Sequence, residues 1–102
     1  MGQEVIWLPE AADDLEAIVA YIARDSPTYA ANFAARILST TADLPRFPKL
    51  GRRVTQWNRA SLRERIVGNY RVIYQILPDR ILILAVIHGA RRLPKDLRKR
   101  AR

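Results

Sequence analysis

The stretch LRERIVGNYRVIYQILPDRILILAVIH, residues 62–88, decides the fold of this chain. Half of residues 62–67 are charged, which is typical of an outer or ligand-facing strand, whereas residues 70–77 alternate between two faces. Residues 80–88 are almost wholly apolar and therefore favour a central strand. Gly68-Asn69 and Pro78-Asp79 are turn pairs that separate the three segments. The stretch predicts three consecutive strands joined by two turns.

The preceding residues add one strand and two helices. Residues 5–8 form a short apolar run that Pro9 ends, and residues 10–24 carry apolar side chains at the i, i+3, i+4, i+7 spacing of a helix. Ser26 and Pro27 suit the start of a second helix that runs to about residue 43. We therefore predict an α+β domain of order β-α-α-β-β-β, with a helical hairpin packed on one face of a twisted, mainly antiparallel, four-stranded sheet.

Length and composition favour one domain. The 102 residues suit a single domain over residues 1–94, followed by a basic C-terminal tail over residues 95–102 that we expect to be a frayed short helix from Lys95. The absence of cysteine excludes disulfides and thiolate metal sites, and one histidine excludes a histidine-rich site, so we expect no metal or cofactor. No apolar run is long enough to cross a membrane, and no signal-peptide pattern begins the sequence. A cytoplasmic protein without membrane association is expected.

Positive charge is concentrated in the second half of the chain. The formal net charge is +8, but residues 1–45 carry −5 and residues 46–102 carry +13. Arginine outnumbers lysine fifteen to three, and its planar guanidinium suits phosphate and carboxylate groups. The asymmetry indicates an anionic partner, either nucleic acid or an acidic protein segment. The alternative interpretation is a solvated surface that keeps the protein soluble.

Five segments, in this order, resemble the RelE/ParE superfamily of toxins from bacterial type II toxin–antitoxin systems, also called plasmid stabilization system proteins. They are VIWLPEAADDLEAIVAYI (5–22), DSPTYAANFAARIL (25–38), LPRFPKLGR (44–52), LRERIVGNYRVIY (62–74) and VIHGARRLP (86–94). The resemblance implies the RelE/ParE-like fold and a cognate antitoxin whose C-terminal segment wraps around the toxin in a hetero-oligomer. Leu8 departs from the family, which often has a helix-capping serine there.

The family divides by target. RelE-like members are ribonucleases that cut messenger RNA in the ribosomal A site, whereas ParE-like members lack that activity and are associated with poisoning DNA gyrase. The DSP turn and the HGARRLP ending are more similar to ParE, so the resemblance implies a toxin that binds its target rather than a catalyst. The alternatives are a RelE-like ribosome-dependent endoribonuclease and, as a third class, a degenerate toxin or a plain nucleic-acid-binding module that keeps the fold without toxicity.

The RelE-like alternative would use Arg71, Glu64 and His88 as catalytic residues. Arg71 matches the strand arginine that these nucleases place against the scissile phosphate, and a histidine titrates near neutral pH. The tyrosine, or histidine–tyrosine pair, that follows the last strand in such nucleases is missing from residues 89–92. The structural alternatives are a cross-strand ion pair between Arg71 and Glu64 and a strand-end hydrogen bond for His88.

Two binding surfaces complete the predicted sites. We expect cations of the second half to bind the target: Arg63, Arg65, Arg91, Arg92, Lys95, Arg98, Lys99 and Arg100. We expect the first helix and the basic loop to bind the antitoxin: Leu15, Ile18, Ile22, Arg52, Arg53 and Trp57. The aromatic ring of Trp57 in a basic loop also fits a platform for nucleic acid. The expected mode is an amphipathic antitoxin helix in a hydrophobic groove, together with a strand added at the sheet edge. The alternative role of the first helix's apolar stripe is the protein core.

Overall fold

The computed structural model describes residues 4–57 and 59–102, and these form five strands and three α-helices. In chain order the elements are β1 (Glu4–Trp7), α1 (Pro9–Ala23), α2 (Pro27–Ala42), β2 (Arg52–Arg53), β3 (Leu62–Val67), β4 (Tyr70–Ile76), β5 (Arg80–His88) and α3 (Leu97–Arg100). The predicted α+β class and element order are confirmed, with β2 as an additional strand. None of the described helices is long and apolar enough to span a membrane.

The sheet has the strand order β1-β5-β4-β3-β2. β1 is parallel to β5, and the other neighbours are antiparallel, which the short turns require for β3, β4 and β5. β5 therefore lies inside the sheet, and residues 81–86 are buried on both sides, as its apolar sequence predicts. The unpredicted β2 has only two residues, which are held by their pairing with Arg63 and Glu64. A segment this short leaves no periodic signal in the sequence.

The two helices cover one face of this sheet. Ser26 caps α2, because its hydroxyl accepts a hydrogen bond from the Tyr29 backbone N–H at 3.1 Å. Phe33 of α2 is buried, and its ring centroid lies 5.0 Å from that of Tyr70 on β4. Tyr70 pairs with Val67 of β3, so both side chains point toward the helices. We call this side of the sheet the helix face, and it holds every second residue of β3 and β4 counted from these two.

The C-terminal segment covers the opposite face, which we call the tail face. Leu97 is fully buried, and the backbone N–H of Arg102 donates to Gln75 Oε1 at 2.8 Å. The helix therefore begins at Leu97 rather than at Lys95, and it is packed rather than frayed. The physical reason is that Leu97 is an apolar anchor within an otherwise charged segment, and burying it offsets the entropy lost on ordering the chain.

A β-bulge interrupts the pairing of β4 with β5. Ile73 pairs with Ala85, but the next residue, Tyr74, pairs with Ile83, so Leu84 has no partner on β4. The bulge lies at the position where β1, the neighbour of β5 on the other side, ends. From there on, backbone groups on that edge of β5 have no neighbouring strand. Side chains bind two of these groups, the Leu84 carbonyl and the Val86 N–H.

Candidate functional site

Glu64 is the centre of a buried ion-pair network on the tail face. Its Oε2 lies 3.1 Å from Arg71 Nη1, and its Oε1 accepts from Arg52 Nε at 3.0 Å and Nη2 at 2.9 Å. The side chains of Glu64 and Arg71 are only 3% and 7% exposed, and Arg71 Nη2 also donates to the Arg91 carbonyl at 2.9 Å. The predicted cross-strand ion pair between Arg71 and Glu64 is confirmed. Arg71 links β3, β4 and the segment that follows β5.

His88 lies on the other side of the sheet. It pairs with Tyr70, and the two rings meet edge to face with centroids 5.2 Å apart, so His88 belongs to the helix face. Its Nδ1 accepts a hydrogen bond from the Ala90 backbone N–H at 3.1 Å, which is the predicted strand-end role. Arg71 pairs with Ile87 and therefore points to the tail face. The three nuclease candidates do not converge on one cleft.

Two grooves flank α1. The first has a volume of about 690 Å³ between the second half of α1 and the end of β5, and it is lined by Ile18, Tyr21, His88 and Arg91, among others. The second, of about 400 Å³, is apolar and lies between α1, α2 and β1, with lining residues Trp7, Leu15, Val19 and Leu38. The predicted antitoxin-binding residues Leu15 and Ile18 thus line separate grooves on two sides of one helix.

The apolar stripe of α1 is only partly core. Leu15, Ile18 and Ile22 are half-buried and pack against the core. Tyr21 is 65% exposed and Leu38 is 53% exposed; both line the grooves beside α1, but neither was among the predicted antitoxin-binding residues. Tyr21 lies three residues after Ile18, so helical spacing could have identified it; Leu38 could not be distinguished from a core residue of α2.

Arg100 and Asp14 close the exposed edge of β5 at the bulge. Arg100 Nη1 donates to the Leu84 carbonyl at 2.9 Å, and Asp14 Oδ2 accepts from the Val86 N–H at 3.2 Å. The two side chains also pair with each other at 3.2 Å, and Arg100 Nε binds Asp96 Oδ2 at 3.1 Å. Arg100, a predicted target-binding residue, therefore has a structural role, and its side chain is only 11% exposed.

The charge states at this edge follow from burial and from the ion pairs. Burial raises the pKa of the Asp14 carboxyl above its ordinary value, because desolvation outweighs the hydrogen bond from Val86 and the attraction of Arg100. Burial by itself lowers the pKa of Arg100, but its two carboxylate partners outweigh that effect and raise it. We expect Arg100 to stay charged and to hold the C-terminal segment against α1.

The remaining predicted cations lie on two faces rather than one. Arg53, Arg63 and Arg65 belong to the helix face of β2 and β3, since Arg63 and Arg65 alternate with the tail-face residue Glu64. Exposed cations are found in and around the C-terminal segment: Arg91, Arg92, Lys95, Arg98 and Lys99. The Arg98 guanidinium lies 5.4 Å from the ring centroid of Trp57, which is half-buried against the core. Trp57 therefore packs beneath the C-terminal segment.

Comparisons with known proteins agree with this architecture. The family model described as the ParE toxin of the type II toxin–antitoxin system parDE matches residues 5–93. Toxin RelE2 of Caulobacter vibrioides is 34% identical over 89 residues, which are 86% of this chain and 97% of that protein.

Solved structures show the same fold at lower identity. A chain of the chromosomal ParDE toxin–antitoxin system from P. aeruginosa aligns with a TM-score of 0.68 and 19% identity, over 84% of this chain and 95% of that one. A chain of the toxin–antitoxin complex RelBE2 from Mycobacterium tuberculosis aligns with a TM-score of 0.60 and 23% identity, over 86% and 99%. A chain of the YoeB dimer from Staphylococcus aureus aligns with a TM-score of 0.61 and 16% identity, over 86% and 98%.

Proposed function

Since the chain belongs to the ParE toxin family of type II toxin–antitoxin systems, we propose that it acts in the cytoplasm as a ParE-like toxin, by binding and poisoning a large target. DNA gyrase is the favoured target. A cognate antitoxin is its natural partner, and in this proposal the antitoxin neutralises the toxin by covering part of its surface. The toxin itself catalyses no reaction.

The separation of the nuclease candidates carries this proposal. Cleaving RNA by attack of a 2′-hydroxyl needs a cation at the scissile phosphate together with groups that move protons beside it. Arg71 is buried, and its guanidinium is already bound to Glu64 and to the Arg91 carbonyl. His88 lies on the opposite face of the sheet. A binding surface requires no such convergence, and the exposed cations of the C-terminal segment supply one.

The grooves beside α1 are the proposed antitoxin sites. The apolar groove at Leu15 and Leu38 fits one face of an amphipathic helix, and the groove at Ile18 lies beside the part of β5 that extends beyond β1. An extended antitoxin segment would add a strand at that edge by displacing Asp14 from the Val86 N–H and Arg100 from the Leu84 carbonyl. An acidic antitoxin would also associate faster with a chain of net charge +8, and the association rate would fall as salt is added.

The second candidate function is a RelE-like endoribonuclease that acts on messenger RNA at the ribosome. The observation that favours it is the 34% identity to toxin RelE2, which extends over 97% of that protein. In this alternative Arg71 would have to exchange its ion pair with Glu64 for a phosphate. That exchange would leave the buried Glu64 carboxylate with Arg52 as its remaining ion-pair partner, which makes the alternative energetically less favourable.

Induced expression of the chain alone in bacteria tests the proposal. Pulse-labelling would follow DNA synthesis and protein synthesis in parallel. As the control, co-expression of the antitoxin should restore growth. We expect DNA synthesis to fail first while translation continues. If translation collapses first, the gyrase proposal is wrong, and Arg71, Glu64 and His88 become the residues to mutate.

Variants then locate the target-binding surface. The triple variant Arg92→Gln/Lys95→Gln/Lys99→Gln should lose toxicity while keeping its unfolding midpoint, because all three side chains are exposed. Arg24→Gln, an exposed cation at the end of α1, is the control and should remain toxic. Equal toxicity of the triple variant and the wild type would exclude the C-terminal cations from target binding.

A further inference from the structure

Four arginines form a basic strip along β3 on the helix face. Arg53 of β2 pairs directly with Arg63 of β3, and Arg65 lies two residues further along the same face. Arg36 of α2 extends the row, because its Nη1 lies 3.7 Å from the position that a Cβ would occupy at Gly68, in the turn after β3. We call Arg36, Arg53, Arg63 and Arg65 the arginine strip.

The arginine strip has no counter-ions of its own. Across the part of the chain that the structure describes, none of its four guanidiniums forms an ion pair with a carboxylate. On the tail face of the same strand pair, Arg52 lies opposite Glu64 and binds it. Like charges placed directly opposite each other across two strands are destabilising, so the Arg53–Arg63 pair costs stability in the free protein. An anion bound between them would remove that cost.

The strip is held in a defined geometry. Arg63 Nη1 donates to the Gly51 carbonyl at 3.3 Å, and its buried Nε has no hydrogen-bond partner within the described residues. The loop around Gly51 is fixed in turn, because the Tyr74 hydroxyl accepts from the Gly51 N–H at 2.9 Å and donates to the Pro48 carbonyl at 2.6 Å. Strand geometry places Arg63 and Arg65 about 7 Å apart, and the row to Gly68 is about 17 Å long.

We propose that the arginine strip binds the phosphodiester backbone of a nucleic-acid double helix without reading its sequence. Guanidinium groups bind phosphate oxygens through paired hydrogen bonds, and a straight row of them matches a ligand with regularly spaced charges. Proteins that bind single strands add exposed aromatic rings on which bases stack, but Tyr74, the aromatic neighbour of Arg63, is fully buried. The exposed ring of Phe47, in the loop before β2, is paired with the guanidinium of Arg46, which is not a member of the strip. This inference does not depend on which target the toxin poisons.

A protein ligand is the less favourable occupant of the strip. Affinity between proteins usually rests on apolar or aromatic anchors in pockets, and the members of the strip are all charged. Apolar grooves exist on this chain, but they lie beside α1. A purely electrostatic contact with a polyanion therefore fits the strip better than a folded peptide does.

Fluorescence anisotropy of the purified full chain with short labelled nucleic acids tests the proposal. The probes are a DNA duplex, an RNA duplex and a single-stranded oligothymidylate, each titrated at several salt concentrations. For a DNA duplex, each phosphate neutralised contributes about −0.9 to the slope of log K against log salt. The double variant Arg53→Gln/Arg65→Gln should therefore make the slope about 1.8 units less steep.

The matched control removes two cations elsewhere. Arg24→Gln/Arg80→Gln changes the net charge by the same amount at two positions outside both the arginine strip and the C-terminal segment, and should leave the slope close to that of the wild type. Arg53→Lys/Arg65→Lys keeps the charges and should keep the slope. Tighter binding of the DNA or of the RNA duplex would identify which double helix the strip accepts, and either result supports the proposal.

Three results would overturn it. If the slope of log K against log salt falls equally in the two glutamine variants, binding follows net charge alone. Tighter binding of the oligothymidylate than of both duplexes would assign the strip to single strands. A glutamate-rich peptide that binds through Arg53 and Arg65, with no duplex bound, would assign it to an acidic protein. Urea unfolding midpoints of all variants would confirm that each one folds.

Discussion

Replacing Glu64 with glutamine removes a charge from between two arginines and leaves the shape of the side chain unchanged. Breaking a buried ion pair by removing one partner costs roughly 3–5 kcal/mol, because the other charge remains buried. The Glu64–Arg71 pair is in that class, with side chains 3% and 7% exposed. Arg52 is 70% exposed, so its ion pair with Glu64 contributes at most about 1 kcal/mol to the free energy of unfolding. Since glutamine keeps one acceptor oxygen, we expect a loss of about 3 kcal/mol.

Thermal and urea unfolding of the purified chain measure this loss. A domain of this size loses about 4–8 °C of Tm per kcal/mol, so Glu64→Gln should lower Tm by about 12–24 °C. The matched control Arg52→Gln removes the exposed partner of the same carboxylate and should cost no more than about 1 kcal/mol. A variant Glu64→Gln that is as stable as the wild type but has lost toxicity would refute the structural assignment and favour chemistry at Arg71.

Two further predictions test the packing around the sheet. Tyr74→Phe leaves the Gly51 N–H and the Pro48 carbonyl without their partner and should cost roughly 1–3 kcal/mol near neutral pH. Burial raises the pKa of Tyr74 above 10.0, so the folded state holds the phenolic proton more tightly, and wild-type stability should fall as the pH rises through that value. The wild type should exceed Tyr74→Phe in the free energy of unfolding, measured with urea, by an amount that shrinks above pH 10.0. A difference that stays constant with pH would contradict the reasoning. Leu97→Ala should cost about 2–5 kcal/mol because Leu97 is fully buried, whereas the exposed neighbour Lys99→Ala should cost little; equal unfolding midpoints would mean that the C-terminal segment is not docked in solution.

Local sequence signals predicted the main elements well. The polar hydroxyl of Ser26 and the ring of Pro27 mark the start of α2, and the apolar run of β5 marks a strand buried on both faces. β2 could not be predicted in the same way, because two arginines form a strand only through their pairing with β3. The bulge at Leu84 is likewise invisible in the sequence, since it depends on the register between two strands.

The sequence by itself determined the family, the order of the elements and the concentration of positive charge in the second half, because these depend on composition and on short-range periodicity. Only the tertiary structure decided which charges are structural. Arg71 and Arg63 are both strand arginines, but Arg71 faces a buried carboxylate and Arg63 faces another arginine. Arg100, in a segment rich in exposed cations, is held by Asp14 of α1. Alternation along a strand assigns each side chain to a face, but the partner that it meets there is set by the register and packing of distant segments.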